Sequence, residues 1–172
     1  MSRKANPDLS FAAGLQGGIL SQYVKTILSA LLVLVLVSVP ARAGLGQPEA
    51  SVTSDQLHMK SEHRIQNFQA YKVHELANTE GAVVREFVSP EGTVFGITWH
   101  GRSTPDMNQL LGNYVNNFET ATRDQTQIRQ RRGITIKTND FVYTNFCRMG
   151  VCSGSAYAPK LLPSNVSAEV MR

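Results

Sequence analysis

At 172 residues, 42% of them hydrophobic and 17% charged, the chain fits one domain around a single core, and no second domain is expected. Its 17 basic and 13 acidic residues give +4, but Arg3, Lys4, Lys25, Arg42 and Asp8 all lie in the first 43 positions, so the remainder carries +1. The positive excess belongs to the N-terminal end, which excludes a nucleic-acid partner argued from net charge.

Residues Ile27 to Val39, ILSALLVLVLVSV, are an uncharged apolar run after Lys25, followed by Pro40 and Ala41-Arg42-Ala43. Crossing about 30 Å of hydrocarbon takes roughly 20 apolar residues, so the run is short for a membrane anchor. A basic flank, an apolar centre and an A-x-A site are the parts of a secretory signal. Residues 1–43 therefore read as a signal peptide that meets the membrane only in transit, with cleavage after Ala43 and a periplasmic or extracellular destination. No cysteine follows the run to carry a lipid. The stretch ahead of it is over-extended for a signal, and a start at Val24, giving V-K-T-I-L-S-A-L-L, restores an ordinary length.

Residues 44–66 form a polar N-terminal segment in which Pro48 can open a short helix over Glu49 to Met59. Three strands of a meander follow: Gln69 to Leu76, Ala82 to Val88 after a turn at Asn78 to Gly81, and a third after Ser89-Pro90-Glu91-Gly92. In the third, alternation sends Phe95, Ile97 and Trp99 to the core and Val94, Gly96, Thr98 and His100 to the other side. Thr104-Pro105-Asp106 supplies an N-cap, a first-turn proline and a first-turn acid. Met107, Leu110, Leu111, Tyr114, Val115 and Phe118 then draw one helical apolar stripe. Glu119 to Arg132 reads as a loop, and Arg129, Arg131 and Arg132 in it as a solvated turn. Strands return at Ile134 to Thr138, Phe141 to Cys147 and Ser153 to Tyr157, and Pro159 and Pro163 end regular structure. The expected fold class is α+β: an antiparallel β-meander, one amphipathic helix packed on the sheet, then a second group of antiparallel strands. One domain spans 67–163, with a C-terminal tail over 164–172.

Tyr71-x-Val73-His74-Glu75-Leu76, Val84-Arg85-Glu86-Phe87-Val88-Ser89-Pro90-x-Gly92-x-Val94-Phe95, Trp99-x-Gly101 and Ala156-Tyr157-x-Pro159 together resemble a family of exported bacterial proteins, domain of unknown function 2844. The resemblance covers about Gly44 to Met171. It implies a signal-bearing, mostly proteobacterial protein with no assigned activity, and it gives no catalytic residue to carry over.

Residues with chemical potential are scattered. His74 and Glu75 adjoin in a strand, so they point to opposite faces. His58 and His63 are spaced for neither one side of a helix nor one side of a strand, and a metal site would need the fold to gather them with His74 and His100. Ser153 lacks the G-x-S-x-G context of a nucleophile elbow, no glycine loop precedes a helix to bind phosphate, and Glu86 and Glu91 flank a turn. Trp99, His100 and Arg102 at the exit of the third strand, with Asp106 near the helix start, could line a ligand pocket; in the plainer alternative Trp99 is core and His100 and Arg102 cover its edge. No catalytic residue, metal or cofactor is expected.

Cys147 and Cys152, the chain's two cysteines, flank Arg148-Met149-Gly150-Val151. In an oxidising compartment a pair so placed closes a hairpin as a disulfide, if the four residues between form the loop and the cysteines stand opposite on flanking strands, facing the side of Phe141 and Tyr143. Redox chemistry would prefer C-x-x-C at a helix start, and zinc two more ligands. The chain is thus expected to be a small exported, non-catalytic binding or envelope-associated domain with an unidentified envelope or extracellular partner. The alternative is a periplasmic hydrolase assembled from scattered His, Glu and Ser residues, which a pocket gathering His74, His100, Glu86 and Asp106 would favour.

Overall fold

A computed structural model of the chain describes residues 44–124, 128–130 and 133–171, so the signal peptide expected over 1–43 and the turn at Arg131 and Arg132 lie outside the described residues. Among the described residues eight strands form one antiparallel sheet: β1 (Glu62–Asn67), β2 (Lys72–Ala77), β3 (Val83–Val88), β4 (Val94–Gly101), β5 (Ile128–Gln130), β6 (Gly133–Lys137), β7 (Val142–Arg148) and β8 (Val151–Tyr157). Their spatial order is β1-β2-β3-β4-β8-β7-β6-β5. The chain meanders through four strands, leaves β4 by a helical connection, re-enters at the far edge and meanders back until β8 pairs with β4, from Gly96 opposite Tyr157 to Gly101 opposite Cys152.

Two strands exceed the three-and-three pattern expected from the sequence. β1 lies in the segment read as polar, and five of its six residues are exposed, so this edge strand has no apolar alternation to announce it. β5 has three residues, too few to show a period, and sits in the expected loop.

The helical layer covers one face. A 3-10 turn at Glu49–Ser51 leads into α1 (Val52–Met59), which ends at Lys60 in the left-handed region. The stripe from Met107 faces the sheet as expected: Leu110, Leu111 and Val115 are buried in the main core, and Met107, Tyr114 and Phe118 pack against it. It is not one helix, however. α2 (Met107–Leu110) and α3 (Val115–Arg123) are separated by a 3-10 turn at Gly112–Tyr114. Gly112 has φ +48°, and a Cβ there would stand 2.7 Å from the carbonyl oxygen of Leu45. The helix breaks where the N-terminal segment passes: the Leu45 N–H donates to the Leu110 carbonyl at 2.8 Å, and the Leu45 side chain is fully buried. The first helical turn also starts later than expected. Asp106, not Thr104, is the cap, its carboxylate accepting from the Asn108 N–H at 2.9 Å.

The sheet separates two cores. On the helix side lie Leu76, Val84, Ile97, Trp99, Ile136, Tyr143 and Ala156 with the helices. On the other side Val73, Phe87 and Phe95 meet the C-terminal residues Leu161, Leu162, Val166 and Met171, which strap that face. Phe95 is on the opposite side from Ile97 and Trp99, contrary to strict alternation. A β-bulge between Phe87 and Val88 pairs Phe87 with Gly96 and Val88 with Val94, leaving Phe95 as the extra residue and turning its ring over. At Gly96 a Cβ would collide with Met171 Sδ, so the bare glycine seats the end of the strap.

The cysteines are joined in a disulfide, Cys147 opposite Cys152 with 4.0 Å between Cα atoms, the narrow, non-hydrogen-bonded kind of pair. Both face the side of Tyr143, whose ring stacks on Phe141. The connection is tighter than the expected four residues: strands run to Arg148 and Val151, and the turn is Met149 and Gly150 alone, at φ 52° and 77°. Two positive φ values in sequence suit the right-handed twist of a two-residue hairpin.

Candidate functional site

The face that the helices leave open carries a groove of about 480 Å³ beside the C-terminal strap. Its floor is built by register. Arg85, Thr98, Ser155, Thr144 and Thr135 are direct cross-strand partners from β3 to β6, a single row perpendicular to the strands. The neighbouring row on the same face is Val83, His100, Ser153, Phe146 and Gly133. Side chains two residues apart on a strand share a face, so adjacent strands deliver hydroxyls side by side at about 4.8 Å.

The hydroxyls are unevenly committed. Thr144 and Ser155 are 3.0 Å apart and bond to each other. Thr98, Thr135 and Ser153 have no hydrogen-bond partner for their hydroxyls among the described residues, although all three line the groove. Arg85 donates from Nε to Glu75 Oε2 at 2.7 Å, so this guanidinium in the floor is matched by a carboxylate. Phe146 is 46% exposed and lies against the bare backbone of Gly133.

Of the four candidate residues, His100 stands in this groove. Trp99 is on the helix side of β4, 3% exposed, stacked on Tyr143 at 5.5 Å between centroids, and donating from Nε1 to Asn145 Oδ1 at 3.1 Å. It reaches the groove only from behind, at Gly154, where a Cβ would strike its ring. Arg102 is exposed beyond the end of β4, and Asp106 is occupied as a helix cap. Ser153 is the cross-strand partner of His100, yet among the described residues no hydrogen bond joins them and no carboxylate orients the imidazole. An acyl-transfer nucleophile needs both.

A second polar cluster lies under the helices. His74, buried in β2, bonds through Nδ1 to His63 Nε2 at 2.9 Å and through Nε2 to Glu49 Oε1 at 3.1 Å. Lys72 grips both oxygens of Glu49, at 3.0 and 2.9 Å. The Lys72 bond, seconded by His74, holds Glu49 below the usual carboxylate range, and burial, only partly offset by Glu49, holds His74 below the usual imidazole value. Directly across from His74 on β3 is Glu86, fully buried against Asp55 of α1. Gln109 of α2 donates to Asp55 Oδ1. Asp55 Oδ2 and both Glu86 oxygens are buried with no hydrogen-bond partner among the described residues. Burial and then the Asp55 charge push Glu86 well above the usual value, and burial also raises Asp55.

The fold thus gathers His63 with His74, and places His74 beside Glu86, while His58 and His100 stand elsewhere. Sequence reasoning missed the Asp55 and Glu86 pair. Its signal was a carboxylate at Glu86 on the inward phase set by Val84, but nothing local named α1 as the element that would meet it. Among the described residues no group of three or more His, Cys, Asp and Glu side chains converges to hold a metal ion.

The family model for a protein of unknown function, DUF2844, matches residues 41–171. The chain belongs to that family. No curated protein and no solved structure matches it. In this DUF2844 chain the matched residues take in both polar clusters and the whole sheet, the groove included. Among the described residues no helix is long and apolar enough to cross a membrane.

Proposed function

We propose that this DUF2844 protein is an exported, non-catalytic binding domain of the cell envelope that takes its ligand in the open groove of the sheet. The observation that carries this reading is the juxtaposition of uncommitted hydroxyls, a half-exposed aromatic and a neutralised arginine in a preformed concavity. Pockets that recognise ligands combine apolar surface with a few fixed polar groups in this way. Export is supported by the charge, run length and A-x-A site of residues 1–43, and by a disulfide of the kind that persists in oxidising compartments.

Three measurements test it. Fractionation of cells expressing the full chain, with intact mass, is expected to find an oxidised protein beginning at Gly44 outside the cytoplasm; an unprocessed, reduced cytoplasmic chain overturns export. Amide shift mapping against solubilised envelope fractions is expected to move Thr98, Thr144 and Ser153 together, and shifts confined to the helical face overturn the groove. Turnover of a nitrophenyl ester that is lost in both Ser153→Ala and His100→Gln would establish the hydrolase instead.

A further inference from the structure

Resting on that reading of the groove, we infer that its ligand is a neutral polyhydroxylated chain, a saccharide of several units lying across the strands.

Three features of the floor select this chemistry. The first is the kind of polar group. Apart from Arg85 and His100, the polar side chains of the two rows are hydroxyls, each able to donate and to accept. A carboxylate or phosphate wants donors only; a sugar hydroxyl wants both.

The second is charge. Among the described side chains the one fixed cation in the floor, Arg85, is already paired with Glu75 across β2 and β3. An anionic ligand would have to compete with that carboxylate, whereas a neutral one finds the remaining guanidinium N–H groups as plain donors.

The third is repetition. Thr98, Ser155, Thr144 and Thr135 occupy four successive strands, so at about 4.8 Å per strand the row spans roughly 14 Å. A single small ring would use one or two of these groups. A chain of linked rings, each presenting hydroxyls at a repeat near the strand spacing, would use all of them. Phe146 in the adjacent row offers an exposed ring against which the apolar C–H face of one sugar can lie while its edge hydroxyls reach Ser153 and Thr144. Met171 of the strap closes one end, so the ligand runs along the row and not over the strap.

The full oxidised chain is titrated with glucose, maltohexaose, cellohexaose, the hexamer of N-acetylglucosamine, a galacturonic acid hexamer and a neutral decapeptide. Trp99, the single tryptophan, reports from behind Gly154, and amide shifts locate the site. One or more neutral hexasaccharides are expected to bind saturably, at least tenfold tighter than glucose, with shifts on Thr98, Ser155, Thr144 and Thr135. Thr98→Val and Thr135→Val keep shape and strand propensity, so melting points should hold while affinity falls about fivefold for each hydroxyl removed. Binding only of the galacturonate or the peptide, still mapped to the groove, overturns the saccharide and leaves the groove reading standing. No groove shift with any neutral hexasaccharide overturns the saccharide, and the envelope-fraction mapping then decides the groove by itself. Hexasaccharide binding indifferent to both valine variants also overturns it.

Discussion

Glu86 of β3 and Asp55 of α1 are buried against each other in the core beneath the helical layer, with Gln109 bonded to Oδ1 of Asp55. With no donor on either Glu86 oxygen and the Asp55 carboxyl beside it, burial favours the neutral form of Glu86. Because folding raises the Glu86 pKa above its unfolded value of 4.5, the folded state holds a proton that the unfolded state has released. Stability is therefore complete below that value and declines as pH rises through the elevated one. Asp55, also raised, acts in the same sense. Urea unfolding across a pH series should show this alkaline decline. Glu86→Gln, whose amide can still donate to Asp55, should flatten it; two parallel curves would remove Glu86 as its cause.

His74 acts on the other limb. Burial lowers its folded pKa below the ordinary 6.5, against the pull of Glu49. The contribution is complete above 6.5 and is lost as pH falls through the lowered value, because the unfolded chain takes up the proton first. The groups facing the imidazole are His63 of β1, Lys72 of β2 and Glu49 of the 3-10 turn before α1, with Glu86 as its cross-strand neighbour on β3. His74→Gln should weaken the acid decline that sets in below pH 6.5. Nuclear magnetic resonance titration of the imidazole checks the direction independently, and a value above 6.5 would contradict it.

The Cys147 and Cys152 bridge closes a very small loop. Chain entropy for a loop this short predicts a stabilisation of about 2 kcal/mol, at the low end for disulfides. The Cys147→Ala, Cys152→Ala double variant, or the reduced wild type, should still fold and unfold cooperatively, with a midpoint in urea lowered accordingly. A loss of folding would assign the hairpin a larger part than its loop length allows.

Gly154 separates Trp99 from the groove. A Cβ there would run into the Thr144 carbonyl oxygen and the Trp99 ring, both held in place by packing and by the Asn145 bond. Gly154→Ala should cost about 1 to 3 kcal/mol by overpacking and shift the tryptophan emission. At Gly96 the obstacle is the flexible end of Met171, so Gly96→Ala should instead release the C-terminal strap, seen as faster amide exchange over Ala168–Met171.

Much of the architecture is legible in the residues themselves. Alternation marks β2, β3 and β4, the 3-4 spacing from Met107 marks the face that covers the sheet, and the Cys147 and Cys152 spacing marks a hairpin. What escapes is whatever has no local period. β1 is an exposed edge strand, β5 is three residues long, and the bulge at Phe95 reverses a side chain in the middle of the clearest alternation.

The candidate site divides the same way. His100 and Thr98 are assigned correctly to the side of β4 away from Ile97, because neighbouring strand residues oppose each other by geometry. That Thr98 would align with Ser155, Thr144 and Thr135 depends on β8 returning to pair with β4, a long-range choice of topology. Trp99 and His100, adjacent in sequence, end on opposite faces, so His100 stands in the groove and Trp99 meets it only from behind Gly154.

Sequence alone determined the class of fold, the covered face of the connecting helices and the hairpin that sets the two cysteines opposite each other, since these follow from periodicity and spacing within a few residues. Only the tertiary structure decided that two meanders would zip along β4 and β8, that Asp55 would meet Glu86, and that four hydroxyls would form one row. Each of those joins residues tens of positions apart, and contacts at that range are set by which strand edges pair, a property no local stretch of the chain contains.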